Sequence, residues 1–348
     1  MANCTMKGMA FRGIVSCVPE REVINDRDFP WFDAADIRKI TAMVGISSRR
    51  FVDEHTCTSD LCQAAGAKLL ERLQWDPKTV DGLILVTQTP DYIMPPTSCL
   101  LQERLGLPDT CASVDVSLGC SAYVYGLWLA NSLITAGACH RILLMAGDTP
   151  SKYVNPKDRS TALLFGDAGT ATALEDASDS RMVASYIMKT DGKGAEQLIV
   201  PGGGFRNRFP DEQSQYCVFM DGAHIFDFTR FRIPPLIKEL LDYSHNEANA
   251  YDLYIFHQAN EYLIRFIAAQ CGIEISRVPL FLKQFGNTAA ASVPLTLALS
   301  KLPVTEKDLL QVMFIGFGVG LSWGAVSLNV PANCVLENFV YNRDEARS

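Results

Sequence analysis

The sequence runs to 348 residues, 48% of them hydrophobic, so it can bury a large core, and its length favours two domains. Its net charge is −8, its pI is about 5.2, and no run of Lys or Arg clusters anywhere. That balance argues against nucleic acid or an anionic membrane as the main partner. Taken in order, residues 8–18 and 49–53 read as short strands, with helical stretches at Phe32 to Met43 and Ser59 to Leu73 between and after them. Asp81-Gly-Leu-Ile-Leu-Val-Thr-Gln then reads as a buried strand, and Pro90, Pro95 and Pro96 break the loop behind it. A helix near Ser98 to Leu105 comes next. The apolar run Ser113-Val-Asp-Val116 follows and stops at the turn Ser117-Leu-Gly119. Cys120 opens a helical stretch from Ser121 to Thr135, ended by Gly137, that is apolar nearly all round, Trp128 included. The strand Arg141-Ile-Leu-Leu-Met-Ala-Gly147, the loop 148–160 and the run from Ala162 to Leu174 lead into a β-rich, aromatic stretch reaching about 220. Strands alternating with helices predict an α/β architecture.

The N-terminus Met1-Ala-Asn-Cys-Thr-Met-Lys7 lacks the basic and apolar regions of a signal peptide. No apolar run approaches the roughly 18–20 residues that span a bilayer, so a cytoplasmic protein with no membrane partner is expected. The eleven cysteines are scattered, and no second close pair answers Cys57 and Cys62 with zinc-site spacing. They are expected as thiols in a reducing compartment, with no structural metal.

From about residue 221 the chain repeats itself. Asp81-Gly-Leu-Ile-Leu-Val-Thr-Gln lines up with Tyr251-Asp-Leu-Tyr-Ile-Phe-His-Gln, and Leu144-Met-Ala-Gly with Phe314-Ile-Gly-Phe, both at an offset of 170. Gly119-Cys120 answers Gly286-Asn287 at 167. Three landmarks in one order predict two copies of an α/β unit, with a site where the carboxyl ends of their strands meet. Under this alignment His257 falls where Thr87 stands and Asn287 where Cys120 stands. Each has an ordinary explanation when taken singly: a packing thiol, a satisfied core histidine, a helix-capping asparagine. Together they make a nucleophile with two polar partners. Cys120 lies where a strand hands over to a helix, and the free N–H groups there are expected to favour its thiolate below the free value of about 8.5.

Gly119-Cys120, His257-Gln-Ala-Asn260, Gly286-Asn-Thr-Ala-Ala-Ala-Ser292 and Gly316-Phe-Gly-Val-Gly-Leu-Ser-Trp-Gly324 resemble the thiolase superfamily. They look most like β-ketoacyl-acyl-carrier-protein synthase III. The resemblance runs over nearly the whole chain and includes Asp158-Arg159 and Phe165-Gly-Asp-Ala-Gly169. It implies a five-layered α-β-α-β-α fold of two duplicated halves, 1–180 with the cysteine and 181–348 with the histidine and asparagine, and a homodimer. It also implies an acyltransferase of fatty-acid or related biosynthesis with no permanently bound cofactor. Cys120 would take an acyl group from a coenzyme A thioester, with the backbone N–H groups of Cys120 and Val319 as the oxyanion hole. His257 and Asn287 would hold a malonyl thioester, on coenzyme A or an acyl carrier protein, through decarboxylation and condensation. Met94, Arg159, Asn260 and Phe317 are the implied substrate contacts, Met94 as a wall of the acyl pocket.

The chain departs from the family around the coenzyme and the carrier. Lys39 and Met43, ahead of Gly45-Ile-Ser-Ser-Arg49, stand where a tryptophan and an arginine usually hold the adenine. Asp227 and Tyr262 stand where a lysine and an arginine usually meet the carrier protein, although Arg230, Arg232 and Arg265 lie nearby. A close rival passes the acyl group from Cys120 to a nucleophile other than malonyl. A cysteine α/β-hydrolase would need glycine where Ala122 stands. The Gly-x-Gly-x-Gly of 316–320 precedes a strand-like Trp323-Gly-Ala-Val-Ser-Leu328 and not a helix, which excludes a dinucleotide reading. Pro201-Gly-Gly-Gly204 reads as a mobile surface connection.

Overall fold

Apolar strands that cannot be left half covered set the architecture. The computed structural model describes residues 2–343 other than 178, 304 and 305. The first half opens with β1 (Ala2–Lys7), β2 (Met9–Val18) and the short pair β3 (Glu22–Ile24) and β4 (Ser48–Arg50), with α1 (Asn25–Asp28) and α2 (Ala34–Val44) between that pair. It continues through α3 (Thr58–Leu73), β5 (Gly82–Val86), α4 (Thr97–Arg104), β6 (Ala112–Val116), α5 (Ala122–Thr135), β7 (Arg141–Asp148) and β8 (Ala168–Asp176). The second half runs β9 (Val183–Thr190), β10 (Leu198–Ile199), β11 (Phe219–Met220), α6 (Gly222–Tyr243), β12 (Leu253–Phe256) and α7 (Glu261–Gln270). It closes with α8 (Leu282–Phe285), α9 (Ser292–Leu299), β13 (Leu309–Gly318), β14 (Ser322–Pro331) and β15 (Val335–Val340).

Two sheets carry the fold, in the orders β15-β2-β8-β7-β5-β6 and β1-β9-β14-β13-β12. Each is centred on a corresponding set: β5 parallel to β7 and β7 antiparallel to β8 in one, β12 parallel to β13 and β13 antiparallel to β14 in the other. Helices α5 and α9 fill the space between the sheets, α3 covers the outer face of the first, and α6 and α7 cover the outer face of the second. That is the expected five-layered α-β-α-β-α arrangement. The halves exchange their terminal strands, however. β1 pairs with β9 of the second half, and β15 pairs with β2 of the first, so a cut at residue 180 divides the sheets everywhere except at their ends.

The helix after Cys120 is less uniformly buried than its composition predicts. Tyr123, Leu127, Ala130 and Ile134 are sealed between the sheets, and a Cβ on Gly126 would lie 2.7 Å from Leu144 Cδ1, so the glycine lets α5 settle onto β7. Trp128, by contrast, is 38% exposed. It lies at the end of the layers where β6 and β1 are the sheet edges. Because Leu127 fills a two-sided interior, Leu127→Ala is expected to cost about 2–5 kcal/mol, read as a lowered unfolding midpoint. An unchanged midpoint would contradict this packing.

Candidate active site

Cys120, Asn287 and His257 reach one site from three chain turns. Cys120 is presented just ahead of α5 by a turn in which the Ala122 N–H donates to the Gly119 carbonyl (2.8 Å). Strand β13 runs against this turn with no side chain between. A Cβ on Gly316 would lie 2.9 Å from Ser121 Cα, and one on Gly318 would lie 2.7 Å from Cys120 Cβ and 3.0 Å from its Sγ. The glycine-rich motif is therefore a backbone seat for the nucleophile. Ser322 Oγ donates to the Val319 carbonyl (2.8 Å) and shares a 2.7 Å hydrogen bond with Ser121 Oγ, which fixes the Val319 peptide beside the sulfur.

His257 follows β12, with its backbone N–H on the Ile315 carbonyl (2.8 Å) and its ring edge-on to Phe317 at 5.3 Å. Its Nδ1 is buried without a hydrogen-bond partner among the described residues, which leaves Nε2 as the nitrogen facing the cavity. The next residue is a staple. The Gln258 N–H donates to Ser292 Oγ (2.7 Å), and its side chain bonds the Phe256 and Pro279 carbonyls and the Phe281 N–H. Asn287 is clamped by the 164–166 segment: its N–H donates to the Leu164 carbonyl (2.9 Å), and its carbonyl accepts from the Gly166 N–H (3.0 Å). Asn287 Oδ1 accepts from the Ala289 N–H (3.0 Å), so the Nδ2 amide is left to donate into the site. That bond closes a local turn and does not cap a helix: Thr288 and Ala291 are the N-caps of the helical turns that follow, and neither turn is capped by a side chain.

These residues line one cavity of about 440 Å³ that carries Cys120 at one end and Ile40, Met43 and Arg159 among its further walls. Asn260 lines it as the N-cap of α7, its Oδ1 accepting the Leu263 N–H (3.1 Å), and Phe317 lines it beside His257. Arg159 is paired with Asp36 of α2. Cys120 also borders a second chamber, of about 190 Å³, shared with Val319, Phe165, Leu198 and Tyr153. The sulfur thus sits between a tunnel and a chamber.

Met94 does not join them. It is 79% exposed, on a surface loop with Tyr92 and Ile93, and it lines neither cavity of its own chain. The loop leaves the end of β5 outward, and α4 is anchored behind it by Asp115 Oδ1 and Oδ2 accepting the Ser98 and Thr97 N–H groups. Lys39 is exposed and is not among the residues lining the tunnel, whereas Met43 is. Tyr262 stacks on Phe226 (6.4 Å) near the tunnel wall. Of the neighbouring arginines, Arg232 pairs with Asp191 and Arg265 with Glu261, and Arg230 lies over Phe231 and Phe266. The 201–204 segment is tied into its loop by the Gly202 N–H on the Gln215 carbonyl (2.7 Å), and the adjoining Val200 walls the chamber.

The electrostatics reverse one expectation. Burial pushes the Cys120 thiol up to about 12, and the charge of Asp148 adds to the rise; the N–H groups of Val319 and Cys120 act the other way without overcoming it. α5 starts only at Ala122, so its dipole favours the thiolate less than the sequence suggests, and enclosure wins. Burial likewise drives His257 down to about 3, which makes its ring neutral at ordinary pH. Asp148 itself was not singled out by sequence, although a lone acid at the end of an apolar strand was the available signal. It is buried, with a pKa raised to about 6 by desolvation. Among the described residues no cluster of three or more His, Cys, Asp or Glu is placed to hold a metal ion.

Residues 114–192 match the family model described as 3-Oxoacyl-[acyl-carrier-protein (ACP)] synthase III, and residues 241–330 match the model of its C-terminal part. The chain is similar to beta-ketoacyl-[acyl-carrier-protein] synthase III of Streptococcus gordonii, 33% identical over 93% of this chain and 100% of that one. It is equally similar, 33% over 92% and 96%, to beta-ketoacyl-[acyl-carrier-protein] synthase III 3 of Streptomyces coelicolor. Among solved structures it is similar to a 3-oxoacyl-(acyl-carrier protein) synthase from Burkholderia xenovorans LB400. That match has 41% identity and a TM-score of 0.92, covering 97% of this chain and 99% of that one.

A thiol near 12 beside an imidazole near 3 is a neutral pair in the free protein, not a thiolate–imidazolium pair. Alkylation of Cys120 by iodoacetamide should therefore rise steadily with pH from 6 to 10, because only the thiolate reacts. A plateau reached near neutral pH would contradict this.

Proposed function

The chain belongs to the 3-oxoacyl-[acyl-carrier-protein] synthase III family, and on that premise we propose that it makes a 3-oxoacyl thioester in two half-reactions at Cys120. In the first, an acyl-coenzyme A enters the tunnel and Cys120 Sγ attacks its thioester carbonyl. The backbone N–H groups of Cys120 and Val319 receive the oxyanion, and coenzyme A leaves as its thiol, carrying the proton that the cysteine gives up. The acyl group then occupies the inner chamber. In the second, a malonyl thioester takes the tunnel, and its carbonyl accepts hydrogen bonds from His257 Nε2–H and Asn287 Nδ2–H. Loss of carbon dioxide leaves an enolate that these two donors stabilise. The enolate carbon attacks the acyl-cysteine, forming the carbon–carbon bond and breaking the thioester, and the Cys120 sulfur leaves as a thiolate that takes a proton from water to restore the thiol.

The observation that carries this reading is the convergence of Cys120, His257 and Asn287 on one tunnel, with a second chamber opening behind the sulfur. A neutral imidazole suits the role. It donates one hydrogen bond without first losing a proton, and burial keeps it neutral. No step needs a resident cofactor. Arg159, Asn260, Phe317 and Met43 line the route by which the thioester's carrier would lie, the carrier being coenzyme A or an acyl carrier protein.

We further propose a homodimer joined at the end of the layers where β6 is an unpaired edge. Val114 on that strand is 43% exposed, and Trp128 and the Tyr92-Ile93-Met94 loop add apolar surface at the same end. All eleven cysteines are free thiols, which supports a reducing, cytoplasmic location. No helix among the described residues is long and apolar enough to cross a membrane.

Intact-protein mass spectrometry with a panel of acyl-coenzyme A donors tests the chemistry. Wild type should gain the acyl mass and Cys120→Ala should not. His257→Ala should still be acylated but should decarboxylate malonyl-coenzyme A or malonyl-carrier protein about 100- to 1,000-fold more slowly. Acylation of Cys120→Ala, or undiminished decarboxylation by His257→Ala, would contradict the assignment.

A further inference from the structure

The inner chamber is walled mostly by apolar side chains, but not by hydrocarbon alone. Phe165, Leu198 and Val218 give it apolar walls, but Gln88, Ser117 and Tyr153 line it too. Among the described residues none of those three side chains has a hydrogen-bond partner, although most polar groups around the site are satisfied. The Asp148 carboxylate alone accepts four hydrogen bonds. The Gln88 amide is set against the nucleophile turn: a Cβ on Gly119 would lie 2.3 Å from its Oε1. The Tyr153 hydroxyl lies within electrostatic reach of Cys120, Asp148 and Asp167 and is held protonated by burial. It is therefore available as a donor beside the sulfur. Ser117 is three residues before Cys120, at the open side that Gln88 shares.

From this juxtaposition we propose that the acyl group carried by Cys120 is short and bears a hydrogen-bonding substituent, a hydroxyl or oxo group, that pairs with Tyr153 and Gln88. The inference rests on the acyl-cysteine reading above and adds the substrate class to it. A chamber of about 190 Å³ has the volume of roughly six waters, which suits a short chain. A plain alkyl chain seated there would strip solvent from the Tyr153 hydroxyl, the most enclosed of the three, and return no hydrogen bond. A site built to bond a polar substituent discriminates against the analogue lacking it far more strongly than an apolar pocket discriminates by a methylene.

The test compares the rates at which 3-hydroxybutyryl-coenzyme A and butyryl-coenzyme A acylate Cys120, followed by intact-protein mass spectrometry on the full-length protein. Wild type should be acylated about tenfold or more faster by the hydroxyacyl donor. Tyr153→Phe should bring the ratio toward one. Gln88→Leu, at an exposed position that folding tolerates, should also lower it and keeps the test intact should the tyrosine variant misfold. Equal or faster acylation of wild type by butyryl-coenzyme A would overturn the proposal while leaving Cys120 as the nucleophile. A preference that survives both substitutions would overturn it as well. Failure of every donor to label Cys120 would instead overturn the acyl-cysteine reading and the proposal with it.

Discussion

Asp148 ends β7 in the middle of the molecule, and its carboxylate accepts hydrogen bonds from both halves of the chain. Oδ1 takes the Thr87 hydroxyl (3.0 Å), the Gln88 N–H (2.8 Å) and the Thr89 hydroxyl (3.1 Å), all just past the end of β5. Oδ2 takes the Ala290 N–H (2.9 Å), three residues beyond Asn287. A buried carboxylate is tolerated because four donors surround it, and each donor is a piece of backbone or side chain next to the site. That one group ties the segment after Asn287 to the end of β5. The same charge opposes a resting thiolate on Cys120. Placement has been favoured over the intrinsic acidity of the nucleophile, which is consistent with a sulfur that reacts only when a thioester is seated against its N–H donors.

A second constraint is the absence of side chains. Gly119, Gly316 and Gly318 let β13 and the nucleophile turn approach until any added methyl would collide with Gln88, Ser121 or Cys120. Gly286, with φ of +67°, and Gly166 do the same where the 164–166 segment meets the Asn287 turn. There a Cβ would fall 2.5 Å from the Leu164 carbonyl oxygen or 2.2 Å from that of Phe285. Behind this junction the fully buried Arg49 lies between Phe29 and Phe51 and donates to Asn25 and to the Ala162 carbonyl. The motif Gly45-Ile-Ser-Ser-Arg49 thus supports the asparagine segment from below.

Much of this was legible in the sequence because it is written locally. Apolar runs with turn residues at their ends located the strands, and repetition at an offset near 170 revealed the paired halves. Cys120, His257 and Asn287 then followed as equivalent strand or turn ends. What was not legible depends on contacts distant in sequence. The exchange of β1 and β15 between sheets leaves no periodic trace. The exposure of Trp128 and Met94 follows from which edge of the layers remains uncovered, and composition alone assigns such residues to a core. The high pKa of Cys120 arises from burial, to which β13 at Gly318 contributes from far along the chain, and from the charge of Asp148, whereas the helix that suggested a low one is local. Tyr153 carried no motif and became visible only once the chamber had walls.

The central claim is that one sulfur, held between tunnel and chamber, carries the acyl group through both half-reactions. A crystal structure of the protein after reaction with an acyl-coenzyme A would test it most directly. Continuous density is expected from Cys120 Sγ, with the thioester oxygen against the Cys120 and Val319 N–H groups and the acyl chain in the chamber beside Tyr153. Acyl density on another residue, or a chain lying back along the tunnel past His257, would contradict it.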